Sequence, residues 1–488
     1  MKPIPIAQLI KWTCGQYIEG PISTRITGVS IDSRTLRPGD LFVPLRGERF
    51  DGHDFLKEAL DRGAVAVLIE ESRVNELSMI LDGLDGASFQ RPSPGIIAVS
   101  DTLLALQRIA RAYRSLCDRP VIAVTGSTGK TTTKDMTASI VRQLGPVLKT
   151  QENYNNEIGL PLTLLQLETW HKTVVVEMGM RGLGQIRALT QIAQPNVGVV
   201  TNVGTVHLEL LGSQRAIQRA KQELVATMAP GSVVVLNADD ALVKDMAAIA
   251  SDKRIIYYGW QTDLAEQREM TDVEYVTASQ VVTHGAKGVS FQLCYDGKSI
   301  EIELPVPGEY QVSNALGAAA AALAVGADFV DVQAGLAELS LSSMRMELIP
   351  WAGGGVVIND AYNANPTSMA SALATAHEIA AGRPLVLVLG DMLELGHISE
   401  AAHKDIGRQA ADVEPACLIA VGTAARGFGE GAREAGMPDE KIVECATHED
   451  AQETALQVAR PGDVVLVKGS RGIALENVVQ ALCAGSKR

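Results

Sequence analysis

The run Val121-Ile-Ala-Val-Thr-Gly-Ser-Thr-Gly-Lys-Thr-Thr132 carries the most specific chemistry in the chain. An apolar stretch of buried-strand length leads into Gly126, Ser127, Thr128 and Gly129. Lys130, Thr131 and Thr132 follow, and then a helical pattern to Gln143. Glycines let the backbone curl so that successive N–H groups face one phosphate. The helix N-terminus adds its positive end. Lys130 supplies a point charge, and the Thr131 hydroxyl is a magnesium ligand in such loops. The spacing is Gly-x-x-Gly-Lys-Thr, because Val124 stands where a longer motif would place its first glycine.

A nucleotide phosphate calls for a divalent metal, and two residues stand where a metal would need them. Glu177 ends the strand-like run Thr-Val-Val-Val-Glu, at the ligand edge of a parallel sheet. His207 follows the run Val199-Val-Thr-Asn-Val-Gly-Thr-Val. Alone, a strand-end glutamate is as readily a solvated carboxylate, and a lone histidine a loop residue. Together, after a phosphate loop, they favour metal. Lys221, on the helical pattern Gln214 to Met228, reads by itself as a surface lysine.

These residues need a scaffold. At about 150 residues per domain, 488 residues suggest three. The expected blocks are 1–101, 102–342 and 343–488. The first holds short strands (Ile26 to Ile31, Leu41 to Leu45, Val65 to Ile69) and a helix, Phe55 to Arg62. Asp82 to Gly95, rich in Gly, Ser and Pro, reads as a loop. In the second, strands alternate with helices, predicting a mostly parallel sheet of P-loop type. It closes with a hairpin around Asp296-Gly297 and an alanine-rich helix, Asn314 to Val325. The third repeats the alternation and predicts a Rossmann-like α/β unit. The fold class is α/β throughout.

The net charge of −14 excludes bulk electrostatic capture of nucleic acid. The six cysteines form no Cys-x-x-Cys pair, so reduced thiols are expected rather than a zinc site or disulfide framework. The N-terminus lacks a signal-peptide apolar core, and no stretch is long and apolar enough to span a bilayer. A soluble, cytoplasmic chain, a monomer without membrane insertion, is the expectation.

In this order the motifs resemble the Mur ligase superfamily of ATP-dependent amide ligases, and within it the MurF type. The likeness covers nearly the whole chain. Asp32-Ser33-Arg34 resembles the block that holds a uridine nucleotide. Thr150, Asn153, Asn155, Asn156, Gly159 and Pro161 match an asparagine-rich loop. His207 and Ala220-Lys221-x-Glu223 match the family histidine and the lysine that carries a carbamate. Asn314-Ala-Leu is similar to a nucleotide-contacting asparagine. Asp360-Ala-Tyr-Asn-Ala-Asn-Pro366, Leu389-Gly-Asp-Met-Leu-Glu-Leu-Gly396 and Lys468-Gly-Ser-Arg471 resemble motifs of the third domain. Two departures stand out. Tyr310 and Gln311 replace a His-Asn pair, and Ser343-Met-Arg345 replaces Pro-Gly-Arg.

The resemblance implies ligation of D-alanyl-D-alanine to UDP-N-acetylmuramoyl-tripeptide through an acyl phosphate, using ATP and magnesium. It implies catalytic roles for Lys130, Glu177, His207 and Lys221. Thr131 and Glu177 would hold one magnesium, and His207, Glu177 and carbamylated Lys221 a second. Gly126 to Thr132, Asn314, Arg345, Asp360, Tyr362 and Asn363 would bind ATP. Ser33, Arg34, Asn155, Asn156, Lys468, Ser470 and Arg471 would bind the UDP-substrate. Three rivals remain at this point: the MurE type, which adds one amino acid, a folylpolyglutamate synthase, and a P-loop kinase. An Asp-Asn-Pro-Arg acceptor motif would mark the first, and this chain has none.

Overall fold

In the computed structural model the described residues are 1–76, 93–260 and 273–485. The N-terminal sheet has four parallel strands, Gly28–Ser30, Asp40–Phe42, Ala66–Glu70 and Gly95–Val99, with Gln16–Glu19 antiparallel at the edge. The Asp82 to Gly95 loop reading lies mostly outside the described residues, but Gly95 itself opens a fully buried strand. Ile6 explains the glycine, since a Cβ there would sit 2.2 Å from Ile6 Cδ1.

The central sheet has nine strands. Val121–Thr125 lies between Thr173–Glu177 and Val197–Val200, parallel to both, with every residue of all three buried. From this strand the chain runs to Val147–Lys149 at one edge, returns through Thr173–Glu177 and crosses to Val197–Val200 on the other side, so strand order reverses about Val121–Thr125, the place where α/β sheets bind ligands at their carboxyl ends. The last three strands, Glu274–Thr283, Val289–Tyr295 and Lys298–Leu304, form an antiparallel extension. Asp296 and Gly297, at φ 52° and 70°, make the hairpin turn that their types require. Glu274–Thr283 was not foreseen. The helix Gln311–Leu323 packs on the phosphate-loop helix Lys130–Val141, and its buried alanines keep the two close. It starts at Gln311 rather than Asn314, so Asn314 sits inside its first turn.

The C-terminal sheet is parallel across Val356–Asp360, Val464–Lys468, Leu385–Gly390, Cys417–Val421 and Ile442–Cys445, with Glu347–Pro350 antiparallel at one edge. Asp360 and Lys468 are register partners at its carboxyl edge. The N-terminal and central sheets are joined by the helix Thr102–Ser115. Its Leu106, Ile109 and Tyr113 share one core with Ile6 and Leu9 on one side and Leu160 and Ile186 on the other. Tyr113 donates to Leu167 O at 2.6 Å and accepts from Lys2 N–H at 2.8 Å. No helix among the described residues is long and apolar enough to cross a membrane.

Candidate active site

A cleft of about 930 Å³ opens between the central and C-terminal sheets, with the phosphate loop on its floor. Two glycines shape that loop. Gly126 has φ 153°, and a Cβ there would lie 1.8 Å from Thr201 Oγ1. Gly129 has φ 77°, and its Cβ would lie 2.3 Å from Asn314 Oδ1. Ser127 and Thr128 donate their N–H groups to Asn202 O and Oδ1 at 2.9 and 2.8 Å. The first-turn amides of the following helix have no intrahelical acceptor and face the cleft. Gly126→Ala is expected to cost about 1–3 kcal/mol of stability from backbone strain alone and to weaken nucleotide binding. Thermal melting with and without ADP checks it.

Lys130 is folded back in the loop, donating from Nζ to Gly126 O at 2.9 Å and Ser127 O at 3.1 Å. Burial lowers its pKa, opposed by Glu177 and reinforced by Arg345. Thr131 Oγ1 donates to Glu177 Oε2 at 2.8 Å, and Asn155 Nδ2 donates to Glu177 Oε1 at 2.8 Å. From the C-terminal side, Arg345 Nη2 donates to Thr131 Oγ1 at 2.9 Å. The same guanidinium lies 4.1 Å from the centre of the Tyr362 ring, and its Nε is buried without a hydrogen-bond partner.

Lys221 departs from its surface reading. It is 2% exposed, and among the described residues its ammonium has no carboxylate against it. Burial lowers its pKa well below the usual lysine value, and Lys130 adds to the shift. Glu223, two residues on, instead accepts from Gly184 and Arg187 N–H groups. His207, at φ 63°, turns its Nδ1 to Glu394 of the C-terminal domain. Burial lowers the imidazole pKa; Glu394 opposes the shift, and Lys130 and Lys221 reinforce it. Among the described residues, no three or more His, Cys, Asp or Glu side chains form a metal-holding cluster.

The departure at Tyr310 and Gln311 has a structural consequence. Gln311 Nε2 donates to the buried Tyr310 hydroxyl at 3.4 Å, and its Oε1 accepts from Asn314 Nδ2 at 2.8 Å. Asn314 is thereby oriented with Oδ1 toward Gly129 and the Thr133 hydroxyl. Burial raises the Tyr310 pKa.

Other foreseen residues have their polar atoms engaged. Lys468 donates to Asp360 Oδ2 at 2.5 Å and Asn363 O at 3.0 Å, so its ammonium braces the cleft wall rather than facing outward. Ser470 Oγ accepts from Leu393 N–H at 3.0 Å and fixes the loop that carries Glu394. Asn156 Oδ1 caps the helix Gly159–Leu165 through Gly159 N–H at 2.8 Å. Asn363 Oδ1 accepts from Ala364 N–H. Arg471 is half-exposed at the cleft mouth, paired with Glu476 at 3.0 Å. Ser33 is buried and donates to Glu58 at 3.0 Å, while Arg34 is largely exposed against Asp32 at 2.8 Å. Both sit in the turn after the strand Gly28–Ser30 of the N-terminal sheet and not in the cleft wall. Asn202 and Glu394 were not singled out beforehand. Asn202 had a signal in Thr201-Asn-Val-Gly, a strand end facing the loop; Glu394 had only its place in a motif.

Three family models match successive stretches: "Mur ligase family, catalytic domain" over residues 25–114, "Mur ligase middle domain" over 124–322, and "Mur ligase, glutamate ligase domain" over 344–471. A relative in Bacillus subtilis (strain 168), UDP-N-acetylmuramoyl-tripeptide--D-alanyl-D-alanine ligase, is 35% identical over 481 residues, 98% of this chain and 97% of its own. The crystal structure of MurF from Acinetobacter baumannii superposes with a TM-score of 0.84 at 31% identity, covering 99% of each chain. MurF ligase from Thermotoga maritima in complex with ADP gives a TM-score of 0.75 at 25% identity, covering 94% of this chain and 98% of its own. Likeness of this extent runs from the N-terminal sheet through the phosphate loop to the C-terminal strands, and the chain belongs to the Mur ligase family.

Proposed function

We propose that the protein is an ATP-dependent amide ligase of peptidoglycan precursor synthesis. It joins D-alanyl-D-alanine to the peptide carboxylate of UDP-N-acetylmuramoyl-tripeptide. One observation carries the reading: Arg345 of the C-terminal side reaches Thr131 of the phosphate loop, so two domains close on one phosphate site. The names borne by relatives matching end to end supply the substrates. Residues 1–101 hold the UDP moiety, 102–342 ATP, and 343–488 complete the cleft. Six free cysteines suit a reducing, cytoplasmic setting.

The tripeptide carboxylate attacks the γ-phosphate and ADP leaves; the dipeptide amine then attacks the acyl carbonyl and, with loss of a proton, displaces phosphate. Both partners of the first step are anions. Lys130 and the first-turn amides of the helix Lys130–Val141, which have no intrahelical acceptor, offset that repulsion. The unpartnered Nε of Arg345 and the paired Tyr362 ring suit a phosphate oxygen and a base or ribose edge. Asn314 lies beside Gly129, and Asp360, held by Lys468, with Asn363 lines the wall opposite. Asn155 and Asn156 border the same space where the sugar-peptide would run, with Ser470 and Arg471 across from them.

Thr131 and Glu177 fit magnesium, which takes a few oxygen ligands from protein and the rest from phosphate and water. Magnesium, when bound, neutralises developing phosphate charge. For a second ion, His207 and Glu177 need another anion. Lys221 is suited to supply it as a carbamate, because its amine is buried, easily deprotonated and without a carboxylate partner.

The test crosses UDP-tripeptides carrying diaminopimelate or lysine with D-alanyl-D-alanine and with single amino acids, following ADP release. Release should require a tripeptide and the dipeptide together. Equal release with one amino acid supports the MurE type; release without any amine supports a kinase. Within the N-terminal domain, Arg34→Ala should raise the KM for the UDP-substrate about tenfold and leave that for ATP unchanged. The point variant is cleaner than removing residues 1–100, which would expose the core shared through Leu106 and Ile109.

A further inference from the structure

The chain segment that enters the C-terminal domain lies along the phosphate-loop helix. Thr131 and Asp135 stand four residues apart on Lys130–Val141 and so share one face, a turn apart. Arg345 grips the first, through Thr131 Oγ1 at 2.9 Å. Ser342 grips the second, with its N–H and its hydroxyl both donating to Asp135 Oδ2, at 3.0 and 2.7 Å. The other carboxylate oxygen, Oδ1, receives Lys134 Nζ at 3.1 Å and Lys149 Nζ at 2.7 Å. Asp135 is 2% exposed. Burial opposes its ionised form, but the two lysines and Ser342 outweigh burial and hold the carboxyl below its usual range. The lysines tie Asp135 to its own helix and to the strand Val147–Lys149; the bonds to Ser342 hold the last residue of the central domain, where the linker begins.

A second carboxylate anchors the far side. Met346 N–H donates to Asp360 Oδ1 at 3.1 Å, and Asp360 is held by Lys468. Between the two anchors run Ser343, Met344 and Arg345. Met344 and Met346 are both left-handed, at φ 58° and 51°, a costly conformation for side chains other than glycine. Within the bend, Met344 N–H also donates to Glu347 Oε2 at 3.1 Å.

We propose that Asp135 and Ser342 are positioning residues for the ATP step. They pin the linker to the phosphate-loop helix, confine movement of the C-terminal domain to residues 343–346, and set where Arg345 meets Thr131. Neither touches the phosphate site itself; they act through Arg345. The proposal rests on the ATP-ligase reading.

The experiment measures kcat, KM for ATP and melting temperature on the full chain, for Ser342→Ala, Ser342→Thr, Asp135→Asn, Arg345→Ala and the Ser342→Ala/Arg345→Ala pair. Ser342→Ala should lower kcat about tenfold, because misplacement of a phosphate ligand is felt in the chemical step. Ser342→Thr, which keeps the hydroxyl, should restore it to within about twofold. In the Arg345→Ala background, Ser342→Ala should cause no further loss. Three results overturn the proposal: wild-type kcat in Ser342→Ala; the same fold loss with Arg345 absent; or Ser342→Ala and Asp135→Asn that lower only the melting temperature. A wild type that releases no ADP with all three substrates instead removes the ligase reading beneath it.

Discussion

Lys130→Ala is expected to reduce ligation by on the order of a thousandfold, with little change in melting temperature. Its Nζ is bonded only to two loop carbonyl oxygens, Gly126 O and Ser127 O. Burial already disfavours its charge. Removing the ammonium therefore costs the fold little. The chemistry loses more, because the cation sits where a carboxylate and a triphosphate must approach each other. Steady-state ADP release and a melting curve on the same preparation separate the two effects. Ligation at the wild-type rate contradicts the assignment of the phosphate loop.

Lys221→Ala is expected to cost ligation on the order of a hundredfold or more, and a small carboxylate should restore part of it. The reason is electrostatic. Lys130 lies close enough to disfavour the charge on Lys221, and among the described residues no carboxylate balances it. An ammonium left there works against any cation bound near Glu177 and His207. In the proposed carbamate, the neutral amine adds carbon dioxide and releases a proton, which replaces a misplaced cation with an oxygen ligand of the kind magnesium takes. In the alanine variant, formate or acetate can occupy the vacated space as that missing anion. Assays with and without each carboxylate decide the matter. Full activity without additive contradicts a carbamate; loss with recovery supports it.

The phosphate loop was legible because everything it needs is local: a buried strand, two glycines and a helix start within a dozen residues. The parallel sheets were legible for the same reason, since Val121–Thr125 and Leu385–Gly390 are uninterrupted apolar runs. Glu274–Thr283 was missed because its mixed sequence, half-buried over most of its length, carries no buried-run signal. Gly95–Val99 was obscured by the Gly- and Pro-rich stretch before it. Long-range partners had no sequence signal at all. The pairing of His207 with Glu394 spans 187 residues, and that of Asp135 with Ser342 spans 207. Asn156 and Lys468 were recognised by motif, but their engagement by a helix end and by Asp360 depends on where the chain folds. Lys221 read as a surface lysine from periodicity alone; the helix Gln214–Thr227 turns that face into the cleft.

The central claim is that a peptide carboxylate is activated on the γ-phosphate of ATP in this cleft and then captured by D-alanyl-D-alanine. It is tested most directly by isotope transfer. UDP-N-acetylmuramoyl-tripeptide carrying ¹⁸O in its terminal carboxylate is incubated with the full chain, ATP, magnesium and D-alanyl-D-alanine, and the released phosphate is analysed by mass spectrometry. One ¹⁸O atom in the phosphate for each amide bond formed is the predicted result, because the attacking carboxylate oxygen leaves with phosphorus. Unlabelled phosphate accompanying amide formation, or phosphate released with no amide formed, contradicts it.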